Sequence, residues 1–271
     1  MRTIIKLLLV ALFVVGCTPP APHTQPPSSR DIATDLANGY LYLNESVFYN
    51  ETLKPPSGAV IEFGPNGQIV RDSNATGSAI EISAPNITIN NMRVTASNPC
   101  FWVNSFPYTP PNPAAIGEMY SQYDPKRENQ HGLAVRSGAD NLKVNGLTVS
   151  DVWGDGVYVG GGNNIVLNNV NVRCAGRSGI SNVNSSNVTV DGGSISGVFW
   201  WGLNIEPSGT SQSVSDYRVK NMRFGFSRDA WLFSGGPHFN CKVFRVDVTG
   251  NVLLPPAMHT PNVNSCADIS W

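Results

Sequence analysis

A nine-residue phrase returns along this chain at a fixed interval. It reads Asn141-Leu-Lys-Val-Asn-Gly-Leu-Thr-Val149, then Asn164-Ile-Val-Leu-Asn-Asn-Val-Asn-Val172, then Asn187-Val-Thr-Val-Asp-Gly-Gly-Ser-Ile195, with starts 23 residues apart. A second phrase keeps the step: Gly132-Leu-Ala-Val135, Gly156-Val-Tyr-Val159, Gly179-Ile-Ser-Asn182 and Gly202-Leu-Asn-Ile205. A unit this short has no room for a helical crossover, and its apolar residues alternate with polar ones at period 2. Two families of short strands sharing one period predict a solenoid. Equivalent strands then pair in parallel about 4.8 Å apart, and the chain is an all-β, single-domain parallel β-helix.

Weaker copies extend the pattern. Asn86-Ile-Thr-Ile-Asn-Asn-Met-Arg-Val94 precedes the clear repeats, and Tyr217-Arg-Val-Lys-Asn-Met-Arg-Phe224 and Cys241-Lys-Val-Phe-Arg-Val-Asp-Val248 follow them. With Ala59–Phe63, Gln68–Val70 and Ala79–Ile82 as earlier coils, the solenoid domain covers residues 31–271 in roughly eight or nine coils of about 20 to 25 residues each. The 26 glycines and the many asparagines suit coil corners, where φ > 0 is often needed. A net charge of −1 with 14% charged residues gives no electrostatic basis for binding nucleic acid.

The N-terminus carries its own signal. Arg2 and Lys6 precede an apolar run from Leu7 to Val15, too short to span a bilayer and placed like the core of a signal peptide. The run ends in Val14-Val-Gly-Cys17, which resembles the lipobox of bacterial lipoproteins, so residues 1–16 are expected to be removed and Cys17 lipidated. Residues 17–30 are then a Pro/Ser-rich tether holding an exported domain to a membrane through its lipid. Export makes the other cysteines candidates for disulfides. Cys241 and Cys266 lie 25 residues apart, about one coil, and are expected to bridge. Cys100 and Cys174 are either a bridge spanning more than one coil or two buried thiols.

The repeat is broken once. The strands beginning at Asn86 and Asn141 are 55 residues apart, and the excess falls in 96–130, a long loop holding Phe101, Trp102, Phe106, Tyr108, Tyr120 and Tyr123. Such a loop either walls a groove or covers a flank of the coil. Alternation assigns the outward columns: Ala134, Tyr158, Ser181 and Asn204 in one, Arg136, Gly160, Val183 and Glu206 in the next. Charged and aromatic residues gather at the corner before these strands, in Trp153-Gly-Asp-Gly156, Arg177-Ser-Gly179, Trp200-Trp-Gly202 and Arg228-Asp-Ala230. This corner is the candidate site.

The succession Gly154-Asp-Gly-Val-Tyr-Val-Gly160, Arg177-Ser-Gly-Ile-Ser181 and Gly202-Leu-Asn-Ile-Glu-Pro207 resembles right-handed parallel β-helix proteins of the pectate-lyase-like superfamily. The resemblance implies a right-handed coil and a polysaccharide partner. That superfamily includes extracellular lyases, hydrolases and epimerases, and also phage tail spikes and fibres. A glycoside hydrolase needs two carboxyl groups about 5–9.5 Å apart. Asp155 and Glu206, two coils and about five strand positions apart, fall near roughly 19 Å, and only Asp151 with Asp155 could approach across a turn. A lyase needs a base and a cation, for which Arg177 and Asp155 are the catalytic candidates. The alternative for that pair is a cross-coil ion pair that keeps register. Tyr158, Arg136, Asn204, Glu206, Trp201 and Asp151 are the binding candidates. His131 and His238 are read as isolated loop residues. No cofactor or metal site is expected; Ca²⁺ held by Asp155 is the alternative, disfavoured because that ion needs several clustered oxygens and no dense acidic cluster is present. The rival functional reading is a non-catalytic adhesion rod on a cell surface or virion.

Overall fold

In the computed structural model the described residues are 30–72, 74–98, 100, 125–207, 209–227, 230–235, 242–254, 261–263 and 267–270. The signal and tether, Cys17, the aromatic residues 101–124, Asp229, His238, Cys241 and Cys266 lie outside them, and so does the expected bridge between the last two.

The described chain is a parallel β-solenoid of about seven turns, close to the eight or nine read from the repeats. Its strands form two sheets. The long-strand sheet contains Thr88–Thr95, Lys143–Ser150, Asn163–Arg173, Ser185–Ser196 and Val214–Phe224. The short-strand sheet stacks Ile80–Ile82, Leu133–Val135, Val157–Val159, Ile180–Asn182, Trp201–Ile205 and Ala230–Ser234. Every pairing is parallel, and the repeat interval becomes the register: Val144 lies beside Leu167, Leu167 beside Val190, and Val190 beside Val219. These four are fully buried, as are Leu133, Val157, Ile180, Leu203 and Leu232 on the facing sheet. Burying a side chain of this kind stabilises by about 1.5–3 kcal/mol, so two facing apolar columns supply the core without any helix layer. One short helix, Ile32–Ala37, caps the first coil with Ile32 and Leu36 buried. Among the described residues no helix is long and apolar enough to cross a membrane.

Both repeated phrases have physical causes. Asn86, Asn141, Asn164 and Asn187 all adopt left-handed φ, between 51° and 61°, a conformation that asparagine tolerates. Their carboxamides form a ladder: each Nδ2 donates to the Oδ1 one coil back, at 3.0, 2.8 and 3.4 Å. The glycines of the second phrase stand where the coil closes on itself. A Cβ on Gly132 would meet Val149 Cγ1 at 2.5 Å, and Gly156, Gly179 and Gly202 are crowded in the same way by Val172, Ile195 and Phe224.

Cys100 and Cys174 are joined by a disulfide, with Cα atoms 5.3 Å apart. This decides between the bridge and the two thiols. The chain leaving Thr95 climbs past the next coil: the Asn98 backbone N–H donates to Asp151 O, and Asn98 Nδ2 donates to Val152 O at 2.8 Å. Cys100 thereby reaches a corner two coils on, where the bridge packs with Phe199 and Phe226.

Candidate functional site

Strand register builds the site. Glu81, Ala134, Tyr158, Ser181, Asn204 and Phe233 form one outward column across the short sheet. The order is as alternation requires, but the exposure is not: Ala134, Ser181 and Asn204 are buried. The column is roofed in part by its own neighbours. Glu206 turns back along its strand and accepts from Asn204 Nδ2 at 3.3 Å, and the same amide nitrogen donates to Ser181 Oγ at 3.1 Å. Tyr158 leans toward Gly160, where a Cβ would meet its ring at 2.5 Å.

Tyr158 is flanked by two residues of the preceding coil. His131 stacks on it at 4.9 Å and the Arg136 guanidinium sits 4.7 Å from its centroid. Arg136 also pairs with Glu81 at 3.2 Å. His131, expected to be an isolated loop residue, is therefore buried inside the site. Its Nδ1 accepts the Asp155 backbone N–H at 3.0 Å, so the neutral ring carries its proton on Nε2. Burial, reinforced by the charges of Arg177 and Arg136, holds its pKa well below the usual histidine value.

Asp155 is fully buried and touches no solvent. Its Oδ1 accepts the Ser178 backbone N–H at 2.9 Å, while its Oδ2 lies 3.4 Å from His131 Nδ1 and has no hydrogen-bond partner. That contact is not an ion pair, because His131 is neutral and its Nδ1 is already an acceptor. Burial raises the Asp155 pKa, and Arg177 opposes the rise.

The expected pairing of Arg177 with Asp155 is corrected. Arg177 Nη1 pairs with Glu128 at 2.7 Å, and its guanidinium lies 4.9 Å from the Trp200 ring. Asp155 turns inward beneath the corner while Arg177 stays at its rim, 19% exposed, so they interact only through space. The charge of Arg177 still reaches His131, Asp155, Tyr158 and Glu206. Glu206 has its pKa raised by burial, with a further upward push from Asp155. Asn204 and Arg177 oppose that rise. Tyr158 is also raised by burial.

Two other candidates lie elsewhere or do other work. Asp151 turns to Thr95, whose Oγ1 donates to it at 3.4 Å, and does not join Asp155. Trp201 stacks on Phe233 at 4.2 Å and tilts against Trp200 at 5.4 Å. Three participants escaped the sequence reading: Glu128, His131 and Phe233. His131 was findable, since His131-Gly132 occupies the place of Asp155-Gly156 and Ser178-Gly179 one and two coils on. Among the described residues no three or more His, Cys, Asp or Glu side chains gather to hold a metal ion.

Residues 126–244 match the family model described as a right handed beta helix region. The matched span takes in the short strands from Leu133 to Ser234 and the cluster residues from Glu128 to Phe233, with Glu81 outside it. No curated protein and no solved structure matches the chain. Fold and handedness therefore rest on the family match together with the solenoid itself: this is a right-handed parallel β-helix.

Proposed function

We propose that this protein is an exported, lipid-anchored β-helix that binds an acidic extracellular polysaccharide on the outer face of its short sheet. The observation that carries the reading is Arg177: a partly exposed guanidinium, packed on Trp200, whose charge reaches ionisable groups on three coils. A carboxylate on a sugar would meet Arg177 and Arg136 at a rim that also holds Tyr158, Trp201 and Glu206. Charge-assisted hydrogen bonds of this kind are about twice as strong as neutral ones. The lipobox-like run ending at Cys17 supports the anchor, and the Cys100–Cys174 bridge supports an oxidising compartment.

Binding is better supported than cleavage. A lyase needs an accessible base, yet Asp155 is enclosed, and burial favours the protonated forms of Glu206 and Tyr158. The rival adhesion rod draws on the Arg177–Glu128 pair, which already gives Arg177 a structural partner. Screening the purified protein against a glycan array tests the proposal. Hits concentrated among uronate-containing glycans are expected, and an absence of acidic hits would contradict it. Assaying each hit for unsaturated products and for new reducing ends then separates binder, lyase and hydrolase.

A further inference from the structure

The long-strand sheet turns a second corner midway along each coil. One residue there is left-handed in each of six successive coils, and register aligns Asn91, Gly146, Asn169, Gly192, Asn221 and Gly250, with φ between 54° and 79°. Left-handed backbone favours asparagine and glycine, but that preference alone does not make them alternate. At the first corner the same preference gives an unbroken ladder from Asn86 to Asn187. At the second, every other carboxamide is missing.

The omission at Gly146 opens a groove of about 300 Å³ flanked by Asn91 and Asn169. A Cβ on Gly146 would come within 3.0 Å of Asn91 Oδ1, and one on Gly192 within 3.0 Å of Asn169 Oδ1. Carboxamides thus border the gaps at Gly146 and Gly192. Asn145, in the groove wall, is held from both sides: it donates to Asn90 Oδ1 at 2.9 Å and accepts from Asn168 Nδ2 at 3.1 Å. The one charged lining residue, Arg93, directs Nη1 to the carbonyls of Gly64, Pro65 and Gly67 at 2.7, 3.2 and 3.1 Å. The groove is therefore polar and pre-ordered, holds no carboxylate, and its one cation is already engaged by backbone carbonyls.

We infer that this groove binds a neutral, hydroxyl-rich chain: an extended β-linked glycan running along the solenoid axis. Carboxamides both donate and accept, as sugar hydroxyls do. The gaps recur every second coil, about 10 Å apart, close to the length of one disaccharide in an extended chain, so alternate sugars would present the same edge to successive gaps. No aromatic ring lines the groove, which makes each contact weak and favours longer chains. This site is on the other sheet from Arg177 and does not depend on the acidic-polysaccharide reading.

Gly146→Asn tests it, because asparagine keeps the left-handed backbone, adds the missing carboxamide and fills the gap. Binding of cellohexaose to the purified protein is measured by NMR titration, with maltohexaose, whose chain is coiled rather than extended, as comparison. Saturable binding of cellohexaose is expected, at least tenfold weaker in Gly146→Asn at an unchanged melting temperature. Gly58→Asn, at φ +74° with no atom within 4 Å of a new Cβ, should bind like the parent. Should Gly146→Asn fail to fold, Asn169→Gly removes one wall at a compatible φ and should weaken binding severalfold. No saturable binding by the parent, parent-like binding by folded Gly146→Asn or Asn169→Gly, or equal binding of maltohexaose would overturn the inference.

Discussion

The two sheets differ in how far their polar groups are paired: the long sheet leaves the buried Tyr217 Oη without a partner, and the short sheet leaves several such atoms. On the long sheet, side-chain amides are paired from coil to coil, as in the ladder from Asn86 to Asn187 and the run Asn90, Asn145 and Asn168. On and beside the short sheet, Trp153 Nε1, Asp155 Oδ2, Asn182 Nδ2, Asn204 Oδ1 and Ser234 Oγ are buried without a hydrogen-bond partner. Each such atom costs about 1–3 kcal/mol, and native folds hold few of them. The long sheet is where the solenoid gains stability; the short sheet is where stability is given up, beside the charges of Arg177, Arg136 and Glu206. That contrast agrees with the acidic-polysaccharide site proposed at Arg177 on the short sheet.

The largest effect should come from the disulfide that fastens the site corner. Replacing Cys100 and Cys174 by Ala opens a closed loop with a sequence separation of 74, and should lower stability by about 4 kcal/mol in chemical denaturation. If the two faces are as different as described, amide exchange should quicken first around Cys174 to Arg177 and Phe199, with Leu167 and Val190 still protected. Uniform loosening would erase the distinction.

Arg177→Ala should weaken binding of a galacturonate oligomer by roughly 1.5–3 kcal/mol, the scale for a hydrogen bond to a charged group, as read by calorimetry. A fall in melting temperature with affinity unchanged would make Arg177 a structural partner of Glu128 and favour the adhesion rod.

Asp155→Asn keeps an acceptor for the Ser178 backbone N–H and removes the carboxyl that can charge in this buried place. The folded-state pKa of Asp155 is raised, so the folded protein holds that proton longer than the unfolded chain. Its contribution is favourable below the unfolded carboxylate pKa and is lost as pH rises through the folded one. The variant should therefore gain on the parent by about 1–2 kcal/mol at pH 8, and the gain should vanish toward pH 4. His131 is shifted the other way, so both proteins should lose stability as pH falls below the usual histidine range. A gain independent of pH would mean that Asp155 does not change its charge in this window.

The smallest effect compares the two corners of the long sheet. Asn164→Gly removes carboxamide bonds to Asn141 and from Asn187 and should cost roughly 1 kcal/mol. Asn169→Gly, at a similar φ but beside glycines, should cost a few tenths at most, since the backbone term is common to both. Equal losses on thermal denaturation would show that the ladder adds nothing beyond its conformation.

The parts of this architecture that were legible are those where geometry admits few residue types. Left-handed corners select asparagine or glycine, and coil closure selects Gly132, Gly156, Gly179 and Gly202, so fold, period and register could be read directly. The corner residues were legible as a cluster but not as contacts. Period-2 alternation holds along strands and fails at turns, so it could not show that Asp155 points inward and Arg177 does not. The partner of Arg177, Glu128, comes from the end of the insertion, where the repeat gives no register. Counting strand positions locates Cα atoms, so it could not show that the Glu206 side chain folds back onto Asn204.

The central claim is tested most directly by hydrogen–deuterium exchange on the protein with and without saturating hexagalacturonate. Slower exchange is predicted in Val157–Val159, Ile180–Asn182 and Trp201–Ile205, with the long strands unchanged. Binding that leaves those three strands untouched and protects only the long sheet, or no binding of the hexamer at all, would contradict the assignment of the polysaccharide site to the short sheet.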